Sequence, residues 1–170
     1  MNFLAHIYLS GENEEVKIGN FMADSIKGKK YLKYNKYLQK GIILHRAIDF
    51  YTDTHPVFRE STQRLFPIYG HYSGIIVDIF YDHFLAANWM KYSDTPLEQY
   101  TFQFYNLLKD NYELLPAKVK NFLPYMIRDN WLLSYSEIEG IEKVLIGMNR
   151  RTGKKSNMHL AVKELKEYYE

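Results

Sequence analysis

The chain has 170 residues, a formal net charge of +2 and no cysteine; 46% of its residues are hydrophobic and 25% charged. A chain of this length fits one domain and buries roughly 70% of its unfolded surface without covalent staples. The lack of cysteine excludes a disulfide framework and a thiolate metal site, so any metal must be held by nitrogen and oxygen. The composition is that expected in a reducing cytoplasm. Aromatic residues reach 16%, with sixteen tyrosines and ten phenylalanines. Buried tyrosines need partners for their hydroxyls, so many of these rings are expected on half-exposed helix faces. The even charge balance does not point to nucleic acid.

The N-terminal stretch MNFLAHIYLSGENEE is apolar only briefly, is broken by His6 and runs into acids. It lacks the basic start and long apolar core of a secretory signal. No run approaches the roughly 20 apolar residues of a spanning helix. A soluble, cytoplasmic domain with no membrane partner is the expectation.

Along the chain the dominant period is helical. Leu38 to Tyr51 sets Leu38, Ile42, Ala47 and Phe50 at helical spacings, and Thr54-His55-Pro56 ends that helix. Val57 to Phe66 reads as a short helix stopped by Pro67 and Gly70. Ser73 to Met90 is the most apolar helix, with Ser73 as its N-cap. A helix from about Pro96 to Leu115 follows, then helices near Ala117–Leu133 and Ser136–Met148. Ser136 and Glu139 of the latter have capping-box spacing. Asn157 is placed to cap a last helix. Gly11–Asn13 and Gly153–Asn157 read as surface loops, and nothing alternates with period two for long. The expectation is one all-α domain over residues 1–170.

Histidines and aspartates carry the chemical information. His45 and Asp49 are four apart on one helix and therefore share a face. Asp78 and Asp82 repeat that spacing on the apolar helix, with His83 next. A lone carboxylate within GIIVDIF is costly to desolvate, whereas a divalent cation gives two carboxylates reason to share a pocket. Asp24 and His6 are single polar groups in apolar runs, able to complete such a shell. Each has an ordinary structural alternative: an intrahelical pair for His45 and Asp49, an arginine partner for Asp78, a backbone carbonyl for His6. Taken together they favour a site. No G-x-S-x-G nucleophile or Gly-rich phosphate cradle occurs, which leaves metal-assisted hydrolysis or metal redox chemistry. The paired E-x-x-H motifs of a di-iron bundle are absent, weakening the redox option.

Lys27, Lys29, Lys30, Lys33, Lys36 and Lys40 form an acid-free segment interleaved with Tyr31, Tyr34 and Tyr37. A second such stretch carries Lys143, Arg150, Arg151, Lys154 and Lys155. These are either solvated helix faces or a docking surface for an acidic partner.

Four segments, MNFLAHIYLS, GNFMADSIKG, GIILHRAIDFYTDTHP and GIIVDIFYDHFLAANW, taken in this order with RRTGKKSNM beyond them, resemble the acyl carrier protein phosphodiesterase family. The resemblance implies a helical fold distantly similar to HD-domain phosphohydrolases. It implies manganese-dependent hydrolysis of the phosphodiester joining 4′-phosphopantetheine to a serine of holo acyl carrier protein, with other divalent ions as substitutes. The strongly acidic carrier of fatty acid biosynthesis would then meet the basic stretches, with Lys27, Lys29, Lys30, Lys33, Arg150 and Arg151 as partner-binding candidates. Carried onto this chain, the metal candidates are Asp24, His45, Asp49, Asp78, Asp82 and His83, joined by His6. Asp82-His83 reverses the usual HD order, and Asp78 with Asp82 is the better geometric pair for joint coordination. Arg46 or Arg151 would neutralise phosphoryl charge, and His83 or His45, if not a ligand, would protonate the leaving oxygen. The alternatives are an HD-like hydrolase of a nucleotide or small phosphodiester, and a non-enzymatic helical module binding an acidic partner.

Overall fold

In the computed structural model, which describes residues 3–169, the helical periodicity becomes ten α-helices joined by short 3-10 turns, with no strand among the described residues. Met1 and Asn2 of the first motif, and Glu170, lie outside the described residues.

The N-terminal third builds the frame of the site. Helix α1 (Phe3–Tyr8) buries Leu4 and Ile7 completely. Asn13 then opens α2 (Glu14–Met22), its side-chain oxygen accepting from the Val16 amide at 3.0 Å. A 3-10 segment (Gly28–Lys33) carries lysines into solvent, and Asn35 caps α3 (Lys36–Thr54) through the Tyr37 and Leu38 amides. Helices α2 and α3 touch through glycines. A Cβ on Gly19 would collide with the Leu38 carbonyl oxygen, and one on Gly41 with the Val16 carbonyl oxygen. The buried stripe of α3 is Leu38, Gly41, Ile42 and His45. Ala47 and Phe50, which the spacing groups with Leu38 and Ile42, instead lie on the outer face, Phe50 being 72% exposed.

Helix α4 (Pro56–Tyr69) runs through Pro67 rather than stopping there. Proline in the last turn forfeits one hydrogen bond, while Leu65 and Tyr69, four apart, stay buried on one face. Gly70, at φ 54°, ends the helix. Helix α5 (Ser73–Ala87) is the central apolar element, packed against α1, α4 and α9. Ser73 is its first helical residue rather than its cap, and its hydroxyl donates to the Gly70 carbonyl at 2.7 Å.

The C-terminal half closes the core with α6 (Leu97–Asp110), α7 (Ala117–Arg128), α8 (Trp131–Ser134), α9 (Ile138–Arg151) and α10 (Val162–Glu167). The helix expected over 117–133 breaks at Asn130, whose φ of 43° is left-handed, a conformation asparagine tolerates better than most residues. The Ser136–Glu139 capping box does not form: Glu137 is the cap residue of α9, and the Ser136 hydroxyl donates to the Leu133 carbonyl. Asn157 makes no side-chain cap either; it precedes a 3-10 turn at φ 52°. No helix of the described residues is long and apolar enough to cross a membrane.

Gly41→Ala should lower stability by about 3 kcal/mol, because its methyl meets backbone on the facing helix that cannot rotate away. Thermal or urea unfolding checks this. A change within measurement error would show that α2 and α3 can separate at little cost.

Candidate metal centre

The glycine contact sets the geometry of the site. Asn20 follows Gly19 on α2, and His45 lies one turn beyond Gly41 on α3, so both side chains enter the same seam. Asn20 is fully buried, and its amide nitrogen donates to the His6 carbonyl and the Ser10 hydroxyl, both at 2.9 Å. Its amide oxygen is therefore the acceptor left for the Nδ1–H of His45, at 3.1 Å. That bond fixes the His45 ring with Nε2 directed the other way. Ser10 completes the arrangement by donating to the His6 carbonyl at 2.8 Å, fastening the end of α1 onto α2.

His6 and His45 stack face to face, ring centroids 3.9 Å apart. Each turns its Nε2 to a different oxygen of Asp49, at 3.1 Å for His6 and 3.3 Å for His45. Ligand-type atoms of His6, His45 and Asp49 all lie within 4.8 Å of one another, the one such group found among the described residues. Asp24, just past α2, stands 3.3 Å from His45 Nε2. Both imidazoles are buried, while the Asp24 and Asp49 side chains are nearly half exposed at 45% and 48%. The group thus has a dry imidazole wall and a wet carboxylate rim. The His6 Nδ1 is buried with no hydrogen-bond partner among the described residues. Two imidazoles and carboxylate oxygen are a donor set suited to a divalent cation of the manganese-to-zinc series.

The charges are arranged accordingly. Burial disfavours the imidazolium of His45, yet the adjacent Asp24 and Asp49 carboxylates outweigh it and raise its pKa to about 9. The hydrogen bond from His45 lowers Asp24. Asp49 is also lowered, burial being overcome by its bonds to His45 and His6.

The other sequence candidates have different surroundings. Asp78, on α5, is raised chiefly by burial, with the charges of Asp49 and Asp53 adding to the effect, so it sits within electrostatic reach of the cluster. Asp82 accepts the Leu4 and Ala5 amides at 3.0 and 2.8 Å. It thereby serves as a carboxylate at the N-terminus of α1; burial pushes it up to about 7 against those two bonds. His83 donates from Nδ1 to the Tyr135 carbonyl at 2.7 Å, and its Nε2 meets the Tyr169 hydroxyl at 3.1 Å. Arg46 donates to the Ile26 and Gly28 carbonyls at 3.2 and 2.8 Å and lies over the Tyr31 ring, binding the lysine-rich segment to α3. Lys27, Lys29, Lys30 and Lys33 are exposed on that segment, as are Arg150 and Arg151 at the end of α9. The structure thus gathers His6, Asp24, His45 and Asp49, and engages Asp82, His83 and Arg46 elsewhere. Sequence reasoning passed over Asn20 and Ser10. The available signal was an amide four residues before Asp24 in the otherwise apolar stretch GNFMAD.

A titration follows from His45. Its folded pKa of about 9 lies above the ordinary 6.5, so its stabilisation is complete below about pH 6.5 and is lost as pH rises through 9. The size is on the order of 2 kcal/mol, after discounting for the screening of half-exposed carboxylates. The thermal midpoint of metal-free protein should fall between pH 7 and pH 10 by more than that of His45→Asn. Parallel curves for the two proteins would contradict the assignment.

Comparison with known proteins agrees along the whole chain. Residues 1–170 match the sequence profile of the family described as acyl carrier protein phosphodiesterase. Relatives bearing that name include one from Photorhabdus laumondii, 31% identical over 170 residues that span 99% of this chain and 86% of the relative. Another, from Yersinia enterocolitica, is 30% identical over 171 residues, covering all of this chain and 89% of the relative. A third, from Serratia proteamaculans, is 32% identical over 152 residues, or 89% and 79% of the two chains. No solved structure matches. With its full length matched by the profile, and by relatives over 79–89% of theirs, the chain belongs to the acyl carrier protein phosphodiesterase family.

Proposed function

We propose that this protein hydrolyses the phosphodiester joining 4′-phosphopantetheine to the serine of holo acyl carrier protein, releasing apo carrier and 4′-phosphopantetheine in the cytoplasm. A divalent cation, manganese by preference, would be held by His6, His45 and Asp49 with Asp24 beside them. The observation that carries this reading is the coincidence of a full-length family match with a His–His–Asp group whose ligand-type atoms already converge.

When bound, such a cation acidifies a coordinated water and polarises a phosphoryl oxygen. The chain's own residues do the rest. Asn20 holds His45 with Nε2 presented, and Asp49 spans the two imidazoles, so little reorganisation is needed. Asp24 keeps a proton on His45 Nε2 in the metal-free protein, and cation binding must displace it, so affinity should rise with pH. Asp78 supplies a further carboxyl within electrostatic reach of Asp49. The leaving serine oxygen must gain a proton, and the exposed carboxylate rim leaves room for a protein-borne phosphate to approach from solvent. The exposed lysines of Gly28–Lys33, with Lys27 before them, face an incoming acidic carrier.

Purified holo acyl carrier protein, incubated with this protein and manganese, should lose the mass of 4′-phosphopantetheine less one water, and excess chelator should abolish the loss. Asp49→Ala should reduce turnover by at least about 100-fold, with helix content by circular dichroism unchanged. Turnover of bis-p-nitrophenyl phosphate without any change in the holo carrier would overturn the carrier reading in favour of a small phosphodiester. Undiminished turnover in chelator would overturn the metal.

A further inference from the structure

A second concavity lies away from the His–Asp group. It has a volume of about 560 Å³ and opens between α8 and α9, within the size range of small-molecule sites. Gly140, Val144, Gly147, Met148 and Arg151 succeed one another along one stripe of α9 and form one wall; Trp131 and Tyr135 form the other, with Phe3 of α1 at its edge. Its chemistry is divided. The walls are aromatic and aliphatic, whereas Lys143, Arg150 and Arg151 bring three cations to the same opening. None of the three has an ion pair among the described residues; the acid that lines the cleft, Asp129, is bound to Arg128 at 2.7 and 2.8 Å and feels the charge of Lys143, leaving Arg150 and Arg151 without an acid on the cleft. Three like charges around one opening repel one another, and a dianion placed among them relieves that repulsion. The α9 wall is left open by sequence: a Cβ on Gly147 would meet no atom within 4 Å. A helix-interior glycine with open space above it costs helix stability without serving any close backbone contact.

We propose that this cleft is an organic-phosphate site. The phosphate sits among Lys143, Arg150 and Arg151, and a slender body of short aliphatic stretches joined by amides lies over Gly147 between Trp131 and Met148. The inference rests on the proposed function only in naming the ligand as 4′-phosphopantetheine released from its carrier, a phosphate monoester and hence a dianion.

Calorimetric titration of the intact protein in chelator tests it, because binding is then read with no turnover. Free 4′-phosphopantetheine should bind at least about tenfold more tightly than inorganic phosphate. Gly147→Leu fills the open space on the α9 wall with a better helix former, so it should fold at least as well. It should nevertheless lose about tenfold in affinity for 4′-phosphopantetheine while keeping that for inorganic phosphate. Arg150→Gln with Arg151→Gln should weaken both ligands. Holo carrier, whose scissile phosphate belongs at the His–Asp group, should bind Gly147→Leu as it binds the native chain, so that the loss is confined to the released compound; an equal loss with holo carrier would contradict the product assignment. The proposal falls if 4′-phosphopantetheine does not bind, or if Gly147→Leu binds it as the native chain does. Failure of hydrolysis in the carrier assay would leave this result standing, and absence of binding here would leave hydrolysis untouched.

Discussion

The site depends on how closely two backbones approach. At Gly19 and Gly41 helices α2 and α3 meet with no side chain between them, and a methyl at either position would strike a main-chain carbonyl. Residues that follow such a contact have little freedom in where they point. Asn20 therefore faces His45 rather than merely lying near it, and one amide side chain ties together the end of α1, the Ser10 hydroxyl and the His45 ring. A wider separation of the helices would break that chain of bonds at its centre and leave a fully buried amide unsatisfied.

The electrostatics follow from the same placement. Two stacked imidazoles and two carboxylates within hydrogen-bonding distance form a costly group unless protons or a cation balance it. In the metal-free chain the Asp24 and Asp49 carboxylates favour the imidazolium of His45, which is why its pKa rises despite burial. Asp82 shows that a similar carboxylate can be used otherwise. It is more deeply buried, and its oxygens are taken by two amides of α1, so it anchors the short helix that brings His6 to the cluster. Asp82 therefore shapes the site through the position of α1 rather than by contact with its ligands.

Much of this was legible in the sequence, and the parts that were not have identifiable causes. The all-helical architecture followed from periodicity, and the four-residue spacing of His45 and Asp49 put them on one face, as observed. Asp78–Asp82 had the same spacing, yet local periodicity says nothing about which neighbour arrives from elsewhere in the chain. The α1 amides reach Asp82 across more than seventy residues. His83 and Arg46 likewise met backbone carbonyls supplied by distant or looping segments. Helix ends misled where side-chain signals competed: Ser136 and Glu139 had capping spacing, but the Ser136 hydroxyl bonded backward to Leu133 instead. The two glycines that set the seam looked like ordinary helix-weakening residues, since their purpose appears only when the facing helix is in place.

The most direct test is crystallographic. Crystals of the protein grown or soaked with manganese, measured for anomalous scattering, should show a peak bounded by His6 Nε2, His45 Nε2 and an Asp49 oxygen, absent from the Asp49→Ala protein. A peak lying instead at Asp78 and Asp82, or none at all under conditions where manganese supports turnover, would contradict the assignment of the cluster as the metal centre.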